Sequence, residues 1–293
     1  MSKKINVISI NDFSSILEYK SKIEEQYKKA RNGKDPRCKK CNDYGVIEGA
    51  IQEEINGKLL KFDKKCECWS DEKEKLEVRL SQIIDMTKKY KEIFGILDID
   101  MCFDNYSIKY NSEIIRVLKS YLKAYSTASL FLRGNSASGK TTLLKMLWQI
   151  YTINNVKVFY LKASYFEKLY KQLYSVNAPK NLQESINTKI DNAKKCDILL
   201  IDDLDSVSFN SAKNGYYEIF DALYKAEKKV IITSSNSLSN IVNSLKEKTD
   251  KESLKLKDRL ISRMLGLGII QIELKNTSVD NKIVIKRKIL KEA

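Results

Sequence analysis

Gly134, Gly139, Lys140 and Thr141 stand in the order G-x-x-x-x-G-K-T within the stretch LFLRGNSASGKTTLL. Glycines at those two positions let the backbone curl so that successive N–H groups converge on an anion. A helix starting at the lysine adds its N-terminus to the same charge. The segment Gly134, Asn135, Ser136, Ala137, Ser138, Gly139, Lys140, Thr141 and Thr142 is therefore the expected cradle for the phosphates of ATP. Lys140 is placed to reach the β- and γ-phosphates, and the Thr141 hydroxyl to ligate Mg²⁺. A second stretch, CDILLIDDLDS, ends an apolar strand in Asp202, which brings a carboxylate to the Mg²⁺ shell. Asp203 follows, placed either to polarise the attacking water or to turn the chain at the strand end. Asp205 is a third acid in the same group.

Two further stretches add polar groups. VIITSSN ends in Asn236, a side chain suited to orienting water against the γ-phosphate. In LKDRLISRMLGLG, Arg259 and Arg263 are four apart and share one helical face. They either supply a guanidinium to the phosphoryl group held by a neighbouring subunit or are solvated charges on a basic helix. The chain has no histidine. That removes His-based triads, His-ligated metals and imidazole acid–base chemistry together.

Four of the six cysteines are clustered as Cys38-x-x-Cys41 and Cys66-x-Cys68. Zn²⁺ takes four thiolates tetrahedrally, and two short hooks presented from turns supply them. With all four positions filled by protein, such a zinc is structural. Disulfides and a redox pair are the alternatives, the first disfavoured by a reducing compartment. Cys102 and Cys196 are expected to be ordinary buried thiols.

The elements that must hold these groups follow from periodicity. A helix is expected from residue 9 to about 31, then turns and the strand-like runs GVIEGAIQEEI and KLLKF, then a charged helix over 70–94. A boundary near 95–101 separates an N-terminal domain, 1–98, from a second domain, 99–293. In the second, the apolar runs 129–134, 157–163, 197–202, 229–235 and 268–274 alternate with helical stretches. Five such strands imply a parallel sheet covered on both faces, a three-layer α/β/α fold. Net charge is +15, which favours a polyanionic partner, nucleic acid first, although a lysine-rich coding bias gives the same number. No apolar run is long enough for a membrane span and the start lacks a signal-peptide core, so a cytoplasmic protein with no membrane partner is expected.

The ordered set GNSASGKT, ILLIDDLDS, IITSSN and DRLISRMLGLG resembles an AAA+ ATPase of the initiator and helicase-loader branch. It is most similar to the DnaC/DnaI-type helicase loaders, with the IstB transposition helpers as close relatives. FDNYSIKYNSEIIRVLKSYL resembles the segment leading into the phosphate loop of those loaders, and the likeness spans residues 100 to about 274. It implies an AAA+ P-loop fold preceded by a small helical zinc-binding domain. Asp203 becomes the catalytic acid, Asn236 the sensor, and Arg263, with Arg259 behind it, the arginine finger of a self-associating ATPase. It further implies an N-terminal domain that grips a replicative hexameric helicase and an AAA+ domain that holds single-stranded DNA.

Three departures accompany the likeness. Ala137 stands where those loaders usually carry another glycine, which is expected to stiffen the loop. Asp203 replaces a more widespread glutamate. The basic stretch after residue 274 is too short for a full helical lid, so modest nucleotide affinity is expected. Between the second and third strands, Phe166, Leu169, Tyr170 and Leu173 read as core. Tyr165, Lys168 and Lys171 lie off that stripe, where they can meet single-stranded DNA. A transposition helper on duplex DNA and a P-loop kinase of small molecules are the alternative functions.

Overall fold

In a computed structural model the described residues are 15–30, 46–55, 58–66, 71–103, 106, 112–123, 128–173, 175, 181–204, 212–246, 251–274 and 285–286. They fall into two compact units, one of Ile16–Asp100 and one of Met1–Ser15 together with Met101–Ala293. No helix among the described residues is long and apolar enough to cross a membrane.

Among the described residues the first unit contains two helices, α1 (Ile16–Ala30) and α2 (Asp71–Phe94), and a ribbon of β1 (Val46–Ile55) and β2 (Lys58–Lys65). Ile16, Tyr19 and Ile23 recur at helical spacing on α1 and are buried, as are Ile83 and Tyr90 of α2. Polar tips tie the two helices together. The Tyr27 hydroxyl donates to Glu77 Oε1 at 2.7 Å, and Arg79 Nε donates to the Tyr19 hydroxyl at 2.8 Å. The strands pair antiparallel from Ile55↔Lys58 out to Val46↔Lys65, with a register shift between Ile47 and Ile51. The expected strand-like runs are thus a hairpin, and the unit is mixed α and β instead of the helical module expected.

The second unit opens with α3 (Ser112–Lys123) and then alternates strand and helix. β3 (Ser129–Gly134) leads into α4 (Lys140–Ile153), and β4 (Val158–Lys162) into α5 (Ala163–Leu173) and α6 (Leu182–Lys195). β5 (Ile198–Asp202) precedes α7 (Lys213–Lys225), and β6 (Lys229–Ser234) precedes α8 (Leu238–Lys246) and α9 (Lys251–Gly266). β7 (Ile269–Leu274) and β8 (Ile285–Lys286) follow. The sheet order is β4-β5-β6-β3-β7-β8.

The first five strands are parallel, as the five apolar runs predict, whereas the two-residue β8 adds an antiparallel edge that no sequence pattern announces. Ile198, Leu199, Leu200 and Ile201 of β5 are fully buried, which is why these strands read as continuous apolar runs. α4 is buried along most of its surface, from Leu143 and Leu144 to Tyr151 and Ile153. After β3 the chain crosses to β4 at the far edge, while β6 and β7 flank β3. That reversal is a topological switch point, and in sheets of this kind ligands bind beside it at the carboxyl ends of the strands.

Candidate functional site

The loop between β3 and α4 is shaped by three residues. Gly134 sits so close to the end of β7 that a Cβ there would meet the Leu274 carbonyl oxygen at 2.6 Å. Gly139 takes the left-handed conformation, φ 82°, at the start of α4. Ala137 also lies there, at φ 62°, without a glycine's freedom. Ser138 N–H closes the loop onto the Asn135 carbonyl at 3.2 Å. Asn135, Ser136 and Ala137 are exposed at the rim, and Ser138 is buried. Thr142, one residue past the Thr141 hydroxyl, is half-buried.

Lys140 is 7% exposed and donates from Nζ to the carbonyl oxygens of Gly134 (2.7 Å) and Asn135 (2.8 Å). The ammonium therefore stands inside the loop's curl. The Thr141 hydroxyl donates to Asp202, at 3.1 Å to Oδ1 and 3.3 Å to Oδ2. Two motifs far apart in the chain thus meet at the carboxyl ends of β3 and β5.

Asp202 is 3% exposed, and two further hydroxyls satisfy it. Tyr160 of β4 donates to Oδ2 at 2.9 Å, and Thr233 of β6 donates to Oδ1 at 2.7 Å. Burial, then the charge and hydrogen bond of Asp202, then Asp203, push the Tyr160 phenol well above its ordinary value, so it remains a donor. Asp203 is left-handed at φ 59°, and its N–H donates to Thr233 Oγ1 at 2.9 Å. Backbone strain of this kind, at a non-glycine residue beside buried polar groups, gathers at functional sites. Tyr106, on the segment before α3, approaches the same loop, its hydroxyl 3.5 Å from the Gly139 carbonyl.

Other expected site residues are placed differently. Asn236 is exposed, and its backbone N–H donates to Ser234 Oγ at 2.9 Å. Among the described residues, no contact joins its side chain to Thr141 or Asp202. Arg259 is exposed. Arg263 is engaged within its own chain: Nε donates to Asp221 Oδ1 at 2.7 Å, and the guanidinium lies 4.8 Å from the centre of the Tyr224 ring. Lys225 and then Arg263 hold the Asp221 carboxyl below its usual range. Asp205 lies outside the described residues.

On α5, Phe166, Leu169 and Tyr170 are buried and Leu173 packs against the same core, as periodicity predicts. Tyr165 and Lys168 are exposed, with Lys189 Nζ 5.3 Å from the Tyr165 ring centre, and Lys171 pairs with Glu167 at 3.3 Å. Cys66 follows β2 and is buried; Cys38, Cys41 and Cys68 lie outside the described residues. The Cys196 thiol donates to the Ala193 carbonyl at 3.0 Å, and burial pushes it up to about 12, which suits an inert core thiol.

Sequence reasoning missed Tyr160 and Thr233. The signal was register. Leu161 and Ile232 both lie opposite Ile201, so residues near the ends of β4 and β6 necessarily surround Asp202.

With this geometry in view, the family model of the bacterial DnaA ATPase domain matches residues 97–269. The chromosomal replication initiator protein DnaA of Acholeplasma laidlawii is 31% identical over 117 residues, 39% of this chain and 25% of that protein. The AMPPCP-bound DnaA of Aquifex aeolicus is 22% identical, with a TM-score of 0.42 over 59% of this chain and 49% of that one. A crystal structure of DnaI gives 18% identity and a TM-score of 0.42, covering 59% of this chain and 84% of that one. The chain spans between 25% and 32% of the length of the curated relatives it matches.

Proposed function

The chain belongs to the family of the bacterial DnaA ATPase domain, an AAA+ family of replication initiation, and on that premise we propose that it hydrolyses Mg²⁺–ATP to load a helicase. The observation that carries the ATPase reading is the Thr141–Asp202 hydrogen bond, which joins the phosphate loop to the acid ending β5. Lys140 neutralises the β- and γ-phosphates from within the loop, and the backbone N–H groups from Asn135 to Thr142 cradle them. Thr141 and Asp202 hold Mg²⁺, a role their hard oxygen donors fit. When bound, Mg²⁺ neutralises charge that develops on the phosphate oxygens. Asp203 orients and polarises the attacking water, with Asn236 as the sensor at the end of β6.

An arginine from a neighbouring subunit stabilises the transferring phosphoryl group, an effect worth about 10³-fold or more. The finger role falls to Arg259. Its exposure supports this, as does the engagement of Arg263 by Asp221 and Tyr224.

The loader reading rests on the motif order and on the cysteine pairs ahead of the ATPase domain. Residues 1–98 grip a replicative hexameric helicase, and 99–293 hold single-stranded DNA and self-associate. Cys38, Cys41, Cys66 and Cys68 bind one structural Zn²⁺; the pairing of Val46 with Lys65, which brings the outer ends of the ribbon together, supports this. Metal analysis of the reduced protein reads it directly, and a zinc-free, folded chain would refute it.

A second reading is favoured by the family match itself. The curated relatives are named chromosomal replication initiators, so the chain can be an initiator-type ATPase acting on DNA without a helicase cargo. Affinity purification of the full chain from its native cells separates the two. A hexameric helicase in the eluate supports the loader; DNA without helicase supports the initiator. A phosphorylated small molecule formed by the isolated protein would mean a kinase and overturn both.

A further inference from the structure

Asp202 carries more hydrogen-bond donors than the phosphate loop alone would provide. Its carboxylate has about four lone-pair sites. Thr141 spreads one bond over both oxygens, Thr233 fills a site on Oδ1 and Tyr160 fills a site on Oδ2. Among the described residues the four sites are thus occupied, and the edge bridged by the single Thr141 proton is the one a cation can enter as that proton turns away. The two added donors come from opposite sides, because β5 lies between β4 and β6 in the sheet. A parallel three-strand frame, buried at β5 and at Thr233 and half-buried at Tyr160, therefore fixes both hydroxyls against the carboxylate. Rotation about the Cβ–Cγ bond of Asp202 would break both bonds at once.

We propose that Tyr160 and Thr233 are positioning residues that clamp the Asp202 carboxylate in the one orientation that turns the edge bridged by Thr141 toward Mg²⁺. Thr233 has a second task in the same clamp. Its oxygen accepts the N–H of Asp203 while its proton goes to Asp202, so one hydroxyl sets the metal acid and the strained residue beside it. The inference rests on the reading of Thr141 and Asp202 as the Mg²⁺ site. Removing Tyr160's hydroxyl frees a lone pair on Oδ2 but also frees the carboxylate to rotate. Orientation dominates, because Asp202 is buried and Mg²⁺ demands near-ideal geometry.

The test is a Mn²⁺ titration of the full chain holding a fluorescent ATP analogue, run beside the same binding in EDTA. Tyr160→Phe keeps the ring, so analogue affinity in EDTA should match wild type. The half-saturating Mn²⁺ concentration should rise about 10-fold, the scale on which partners of metal ligands act. Thr233→Val should show the same rise, and Thr233→Ser, which keeps the hydroxyl, should stay within about two-fold of wild type. An unchanged or tighter Mn²⁺ dependence in Tyr160→Phe overturns the clamp. So does an equal loss in EDTA, since Tyr160 would then be packing the fold and not setting the metal. If wild type shows no Mn²⁺-dependent binding, the ATPase site itself is wrong and the clamp falls with it.

Discussion

Ala137 carries the clearest residue-scale cost in the phosphate loop. The sequence suggests that an alanine at this position stiffens the loop. Its φ of 62° adds that the side chain sits in the left-handed region, which favours glycine. Ala137→Gly should therefore stabilise the protein by about 1 kcal/mol and raise Tm by about 2–4 °C, read by thermal unfolding. A lowered Tm would mean that the loop depends on the alanine methyl. The residues of this loop were legible because their spacing is local: Gly134, Gly139, Lys140 and Thr141 are fixed by one strand–turn–helix. Asp202 was legible as the polar end of an apolar strand. Tyr160 and Thr233 were not, because their relation to Asp202 exists only after three strands pair in register, and nothing short-range marks a tyrosine or threonine in a strand as functional. Asn236 shows the converse. A polar residue at a strand end attracts a role by its position, yet its backbone, not its side chain, makes the described bond.

Helices α7 and α9 pose the corresponding question at the scale of elements. Arg263 of α9 reaches Asp221 and Tyr224 of α7, and Lys225 completes the cluster at 2.6 Å from Asp221 Oδ2. Arg263 thus fastens α9 to α7, and Arg259, one turn earlier, is left exposed. Arg263→Ala should lower Tm, whereas Arg259→Ala should leave Tm unchanged and reduce hydrolysis by about 10³-fold. Normal turnover in Arg259→Ala, with loss confined to Arg263→Ala, would return the finger role to Arg263. The ion pair also sets a pH dependence. A carboxyl held below its ordinary value near 3.9 stabilises the fold above that pH and loses the effect as pH falls. The Tm gap between wild type and Arg263→Ala should accordingly narrow below about pH 4. Periodicity placed both helices and the fourfold spacing of the arginines, but not which arginine finds a partner, since Asp221 belongs to another element. β8 escaped for a different reason, since two residues carry no period.

Over the whole molecule, the alternation of strand and helix was enough to give the parallel sheet, because buried parallel strands write themselves as apolar runs. The order of those strands was not written there, and the switch point beside β3 depends on it. The net charge of +15 belongs to this scale as well, favouring a polyanion without naming the surface that meets it. Tyr165 and Lys168 are exposed on α5, while Lys171 is paired, so charge counted along the sequence overstates what is free to bind. All of these features serve one claim, that Lys140, Thr141, Asp202 and Asp203 form a Mg²⁺–ATP hydrolysis site. Phosphate release from ATP by the full chain, with Mg²⁺ and single-stranded DNA present, tests it most directly beside Lys140→Ala and Asp203→Asn. Wild type should release phosphate, Lys140→Ala should neither bind nor hydrolyse ATP, and Asp203→Asn should bind it with turnover reduced at least about 10²-fold. Phosphate release that persists at the wild-type rate in both variants, or is absent from wild type, would contradict the claim.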